Sequence, residues 1–211
     1  MSDSRAAEQL LREAEEQQAS DWLAANLLTA AAIATVVGDE PIVVGGTAEA
    51  YWTGRDVYHE TDLDLWIAGP IGKPISDALR GLGFKREARH WVRPGLEVVL
   101  EFPGGEFAGA FERLAVEEVA GRRVAVIGLD DLYLDRLAQA TATPSEQSVE
   151  FMSALSVATH RFDDMDWAYV SEVIRRAQRA TPVLGRELHR RNRRIRQVVR
   201  RRLSEPTDPL I

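Results

Sequence analysis

The sequence predicts an α+β protein, and three features of its order predict it. The chain opens with two long helix-forming stretches. Its middle, from about residue 41 to 127, is a series of short apolar runs cut by glycine and proline turns. From about residue 145 onward the pattern returns to helices alone. Helices, then a block of strands, then helices again give a sheet with its helices segregated from it, not a strictly alternating α/β chain.

Residues 4–19 contain strong helix formers and neither proline nor glycine, with Ser2 or Ser4 in capping position. Ser20-Asp21 restarts a helix over 22–36, apolar on most sides and therefore core. Gly38 to Pro41 ends it and delivers the first strand, Pro41 to Val44, which stops at Gly45-Gly46-Thr47. A turn at Thr53-Gly54-Arg55-Asp56 precedes the second strand, Asp62 to Ile67, which Gly69-Pro70 breaks. A helix over 73–82 places Ile75, Leu79 and Leu82 on one face. The runs 84–92 and 96–102 form a hairpin around Pro94-Gly95, and 114–119 and 123–127 form a second around Ala120-Gly121-Arg122. Between them Phe107, Phe111 and Leu114 fall at helical spacing and read as core. A helix reaching Ala140 carries Asp130 and Asp131 in its first turn, where the helix dipole favours them. Ser145 caps the next helix, Asp163 to Asp166 opens another, and Thr181-Pro182 starts the last, to about Leu203. The division is a sheet-bearing core over 1–140 and a helical region over 141–211.

Bulk composition narrows the function classes. At 211 residues, with 45% apolar and 28% charged residues, the chain is an ordinary globular protein. It has no cysteine, which removes disulfides, thiol chemistry and cysteine zinc sites. Its four histidines (His59, His90, His160, His189) lack metal-ligand spacing. No apolar run spans a bilayer and the polar N-terminus has no signal-peptide pattern, so the expectation is a cytoplasmic protein with no membrane partner. Charge is uneven. From Arg175 onward twelve arginines face three acids, +9, while the preceding 174 residues carry −16. This is an acidic body with a basic end.

The chemistry concentrates in residues 41–67. In Asp62-Leu63-Asp64-Leu65 the period of two puts both aspartates on one face and both leucines on the other. Asp is depleted in strands, and two carboxylates at i and i+2 stand roughly 7 Å apart and repel. A divalent cation removes that penalty; Mg²⁺ takes few carboxylates and fills its shell with water and phosphate oxygens. Gly45 and Gly46 let backbone approach a ligand, and a helix starting at Thr47 turns free N–H groups and its positive end toward an anion. Taken singly, Gly-Gly-Thr is a turn and Asp-Leu-Asp-Leu a charged edge strand. Together, 16 residues apart from Gly46 to Asp62, they read as a phosphate cradle beside a metal pair.

Val44-Gly45-Gly46-Thr47-Ala48 followed by Thr61-Asp62-Leu63-Asp64-Leu65 resembles the signature of the minimal nucleotidyltransferase superfamily, whose fold is shared with DNA polymerase beta. The likeness extends over roughly residues 22–140. It is similar to a prokaryotic group of small nucleotidyltransferase-like proteins, several of them from toxin–antitoxin pairs. The resemblance implies that Gly45, Gly46 and Thr47 seat the phosphates of an NTP substrate. It implies that Asp62 and Asp64 hold Mg²⁺ or Mn²⁺, and that a later strand supplies a third carboxylate. Glu97 and Glu101 share one strand face, so parity does not separate them; Glu101, in Glu101-Phe102-Pro103, matches the acidic position of the prokaryotic group, and Glu97 suits a general superfamily alignment. Arg89, in Arg89-His90-Trp91, stands in a run that the group shares and is placed to contact a triphosphate; Trp91 is either a base-stacking platform or core. Many members have Ser where this chain has Thr47 and Asp where it has Glu101.

The arginines from Arg190 to Arg202 have two readings: a surface for the phosphate backbone of RNA, tRNA included, or a basic tail folded onto the acidic body. No aromatics interleave them, which argues against base stacking. The expected function is metal-dependent transfer of an NMP from an NTP to an RNA or protein hydroxyl, within a toxin–antitoxin setting. The alternative is a catalytically silent binding module on the same fold, an antitoxin or RNA scaffold with a protein partner.

Overall fold

The computed structural model describes residues 2–38, 40–55, 62–143 and 145–204. Thr61 of the motif, Asp56 of the turn and His59 lie outside the described residues. The chain divides into two compact units, Met1–Gly128 and Leu129–Ile211, so the helix ending at Ala140 belongs to the second unit and not to the sheet-bearing one. No helix among the described residues is long and apolar enough to cross a membrane.

The first unit is α+β. Its helices are α1 (Ser2–Gln17), α2 (Trp22–Val37), α3 (Gly45–Thr53) and α4 (Lys73–Gly81). Its strands are β1 (Ile42–Val43), β2 (Asp62–Trp66), β3 (Lys85–Glu87), β4 (His90–Arg93), β5 (Leu96–Glu101), β6 (Ala115–Val119) and β7 (Arg122–Val126). Seven strands of the described residues make one mixed sheet in the order β3-β4-β5-β2-β1-β7-β6. The centre is parallel where β2 meets β5 and β1 meets β7, and antiparallel where β1 meets β2. α2 packs behind this sheet, and α1 lies on α2. The apolar character of α2 on most sides follows from this position: residues Ala25 to Ile33 are all buried. Asp21 accepts a hydrogen bond from the Ala24 N–H at 2.9 Å, and Gly38 leaves the helix at φ 76°, as a cap and a stop residue should.

Leu63 and Leu65 are fully buried while Asp62 and Asp64 on the other face are half-buried. Burying each leucine is worth about 1.5–3 kcal/mol, and a one-residue slip would exchange leucines for carboxylates in the core. The hairpin β4–β5 is tied to α1. Arg93 reaches Glu8 at 3.2 Å and Glu15 at 3.4 Å, and Gln18 bridges the Gly95 carbonyl and the Glu97 N–H. The hairpin β6–β7 turns on Ala120 (φ 48°) and Gly121 (φ 74°), the two positive values that a tight two-residue loop demands.

Three expectations for this unit change. The run 84–92 is two strands, because the chain turns back at Ala88 (φ 54°), so β3 and β4 form a hairpin of their own and Arg89 sits in its turn. Residues 104–114 are not a core helix. After Pro103, Gly104 and Gly105 (φ 99°) only a single 3₁₀ turn forms, at Phe111–Arg113, and Phe111 is 62% exposed. Phe107 and Phe111 cluster instead on Trp66, ring centroids 5.1 and 5.9 Å away. α3 begins at Gly45, two residues before Thr47. Of the two readings of Trp91, core is the one observed, since the ring is 2% exposed.

The second unit is helical: α5 (Leu129–Ala140), α6 (Val149–Arg161), α7 (Trp167–Ala180) and α8 (Pro182–Ser204). Ser148, not Ser145, caps α6, its hydroxyl accepting from the Phe151 N–H at 3.2 Å. The basic end is no frayed tail, because α8 carries a buried stripe, Leu188, Ile195 and Val199. Within it Arg191 is 4% exposed and donates to Glu187 and to the Thr143 carbonyl at 2.9 and 2.7 Å. Tyr133 donates to Asn192 at 2.9 Å, and burial pushes its phenol pKa up. Gly185 lets α7 and α8 meet, since a Cβ there would stand 2.1 Å from the Gln178 Cα.

Candidate functional site

The candidate site is built where β1 ends, α3 begins and β2 runs past both. The Val44 N–H donates to the Asp64 carbonyl at 3.0 Å, which sets the end of β1 against the middle of β2. The next residue, Gly45, takes φ 65° and opens α3. A Cβ on Gly45 would stand 1.9 Å from Asp64 Oδ2 and 2.8 Å from its Cγ. The Asp64 carboxylate therefore occupies the space that any other residue at 45 would fill. The first N–H groups of α3 lack intrahelical partners by construction and carry the positive end of the helix dipole. A helix start and a carboxylate thus share one small region.

Thr47 has a different place from the one expected. It is fully buried, its hydroxyl accepts from Asn26 Nδ2 at 2.8 Å, and it lies 3.3 Å from the Asp62 carbonyl, to which it donates. Its side chain clamps α2, α3 and β2 together, and its backbone N–H lies in the first turn of α3. Asn26 is the residue that sequence reasoning missed. The signal was available, a single amide inside the apolar stretch of α2.

Parallel pairing of β2 with β5 sets Asp62 opposite Val99 and Asp64 opposite Glu101. Partners in a parallel ladder point to the same face about 4.8 Å apart, so Glu101 stands beside Asp64. Glu97 is exposed and lies two residues behind Val99. Glu101 is engaged from the β3–β4 hairpin, its Oε2 lying 3.4 Å from Arg89 Nε in the turn and 3.3 Å from His90 Nε2 on β4. Arg89 is 73% exposed in its side chain and also donates to His90 Nε2 at 3.1 Å. The arrangement brings Gly45, Asp64, Glu101 and Arg89 into one neighbourhood, with Asp62 one pleat along and Gly46 in the first turn of α3. Among the described residues no three His, Asp or Glu side chains stand together as a ready metal cage. The pair Asp62 and Asp64 still fits a hard divalent cation, which needs only one or two carboxylates when waters and phosphate oxygens complete its shell.

No protein-family model matches the chain, and no curated protein matches it in sequence. Solved structures do. The solution structure of the antibiotic-resistance factor ANT(2'')-Ia superposes with a TM-score of 0.50 at 18% identity, covering 80% of this chain and 96% of that one. The chain shares the fold of that factor. The crystal structure of an antigenic nucleotidyltransferase-like protein from Paracoccidioides brasiliensis also matches, with a TM-score of 0.43 at 13% identity over 88% of this chain and 93% of that one. In this fold the glycine start of α3, which follows β1, and the acidic face of β2, the middle strand, lie at the centre of the sheet.

Proposed function

We propose that the protein is a metal-dependent nucleotidyltransferase that moves an NMP from an NTP to an acceptor hydroxyl. The observation that carries this is the contact between Gly45 and Asp64. A positive-φ glycine opening a helix against a strand carboxylate has little structural purpose, and it joins an anion-binding helix start to a cation-binding side chain. Gly45, Gly46 and the N–H of Thr47 bind the phosphates, and Asp62 and Asp64 hold Mg²⁺ or Mn²⁺. The bound cation supplies neutralisation of the triphosphate charge and lowers the pKa of the acceptor hydroxyl. The acceptor oxygen bonds to the α-phosphorus as the bond to the bridging oxygen breaks. The electron pair leaves with pyrophosphate, and the acceptor proton passes to Glu101 Oε2. Arg89, displaced from Glu101, is free to reach the triphosphate. Most of the rate enhancement comes from positioning and charge. The acceptor is an RNA or a protein hydroxyl, and a cytoplasmic toxin–antitoxin role rests on the sequence resemblance alone.

One observation favours the silent-module reading: Glu101 is held by Arg89 and His90. Transfer from each of four α-labelled NTPs to total RNA and to cell protein, with Mg²⁺, separates the two. Label that disappears in Asp62→Asn/Asp64→Asn supports transfer; no label and no NTP binding refutes it.

A further inference from the structure

The arginines of α8 divide into two populations, and the division is not random. Arg190 and Arg191 pair with Glu187, and Arg194 pairs with Glu146 at 3.0 Å. Arg193, Arg196 and Arg200 have no carboxylate partner among the described residues. These three are spaced i, i+3, i+7, one stripe of the helix, about 10 Å from first to last at helical rise. That stripe lines a cleft of about 580 Å³ between α7 and α8, with Arg175 and Ser171 across it on α7 and His189 at its end. No acid lines it. Of the arginines that line it, Arg175 has a counter-charge among the described residues, Glu172 at 2.5 Å.

Two of the cleft arginines are held by aromatic rings. The Arg196 guanidinium lies 4.8 Å from the centre of the Trp167 ring, and that of Arg200 lies 6.0 Å from the Phe162 ring. Stacking fixes the planes of the two forks. Arg196 Nε is buried with no hydrogen-bond partner among the described residues, so no protein acceptor engages this side of the fork. Like charges one turn apart destabilise a helix, and the paired face of α8 shows how this chain offsets that cost where nothing else does. On the cleft face no carboxylate among the described residues does so.

We propose that this cleft is a binding site for a phosphate-bearing ligand with at least two phosphate groups set along α8. Guanidinium forks bind phosphate oxygens in pairs, and three of them in a row match an oligophosphate or a run of phosphodiesters. The aromatic faces beneath are covered by arginine, so bases do not stack there and recognition is of backbone charge, not of sequence. A polycation is repelled. The site is independent of whether the first unit transfers nucleotides.

The test uses the full chain without Mg²⁺ or NTP. Anisotropy of a short fluorescein-labelled single-stranded RNA of mixed sequence is titrated over a range of salt, and inorganic tripolyphosphate is titrated by calorimetry and as a competitor. Arg193→Gln/Arg200→Gln is compared with Arg190→Gln/Arg194→Gln, which removes the same charge from the other face. The cleft variant weakens binding at least about tenfold near 0.15 M salt and lowers the log–log salt slope for RNA by about 1.4, from about 0.7 per phosphate contact. The control variant changes affinity less than about twofold. Arg193→Glu alone, at an exposed position, gives the same loss and guards against misfolding of the double variant, with melting temperatures recorded for all. RNA binding that tripolyphosphate barely displaces identifies a nucleic-acid backbone; tripolyphosphate binding without RNA binding identifies a free oligophosphate; either supports the site. Equal losses in both variants, or no binding of either probe below millimolar, overturn it.

Discussion

Gly45→Ala is the sharpest perturbation of the site. Gly45 and Gly54 take nearly the same backbone, φ 65° and 66°, at the two ends of α3. A Cβ at Gly54 meets nothing within 4 Å, whereas at Gly45 it stands 1.9 Å from Asp64 Oδ2 and 3.0 Å from the Asp64 Cβ. Both substitutions carry the left-handed backbone cost, about 1–2 kcal/mol. Only Gly45→Ala adds overpacking, about 1–3 kcal/mol, because Asp64 must turn away or α3 must shift. The difference between the two variants therefore isolates the close approach. Urea melts monitored by circular dichroism should show Gly54→Ala losing about 1–2 kcal/mol and Gly45→Ala about 2–5 kcal/mol. In an Asp64→Ala background, which removes the carboxylate, part of the extra cost disappears. Transfer activity falls about 10²-fold or more in Gly45→Ala, since a carboxylate displaced by about 1 Å no longer meets the phosphates, and is kept in Gly54→Ala. Equal stability losses in the two variants, or full activity in Gly45→Ala, would refute both the packing argument and the site built on it.

Thr47→Val keeps the volume of Thr47 but leaves Asn26 Nδ2 buried without its acceptor; it should cost about 1–3 kcal/mol, Thr47→Ser should be near neutral, and a raised KM for NTP with unchanged stability would contradict a clamping role. Glu101→Gln should lower kcat about 10²-fold or more if it takes the acceptor proton, with Glu97→Gln unaffected; the reverse order would exchange their roles. Burial raises the Asp135 carboxyl above its ordinary range, ahead of the opposing effects of Arg136 and Gln139. Its contribution is therefore complete below the unfolded pKa and is lost as pH rises through the folded one. Asp135→Asn should accordingly raise the melting temperature at neutral pH and leave it unchanged in acid, and a gain confined to acid would be the wrong sign. Phe111→Ser, at a mostly exposed ring, should cost no more than about 1.5 kcal/mol, against about 3–5 kcal/mol for Phe84→Ala in the core.

What the sequence determined by itself is what short-range chemistry controls. The faces of β2 follow from a period of two, the two hairpins from Pro94-Gly95 and Ala120-Gly121, and the helices from propensity and caps such as Asp21. The α+β class follows from their order. Helical spacing misled at Phe107 and Phe111, because spacing tells where side chains would point only if the backbone is helical, and Pro103-Gly104-Gly105 prevents that. Tertiary structure alone decided the rest. Parity left Glu97 and Glu101 equivalent; the parallel register of β5 on β2, fixed by burial of Leu63 and Leu65 on one side and Leu96, Val98 and Leu100 on the other, set Glu101 beside Asp64. The hydroxyl of Thr47 was turned inward by Asn26, a residue 21 positions away. The basic end, one block of arginine in the sequence, became two faces of α8 once Glu187, Glu146 and the groove of α7 were brought against it. Register, the inward turn of the Thr47 hydroxyl and the pairing of Arg194 with Glu146 depend on partners distant in the chain, and no local pattern encodes them.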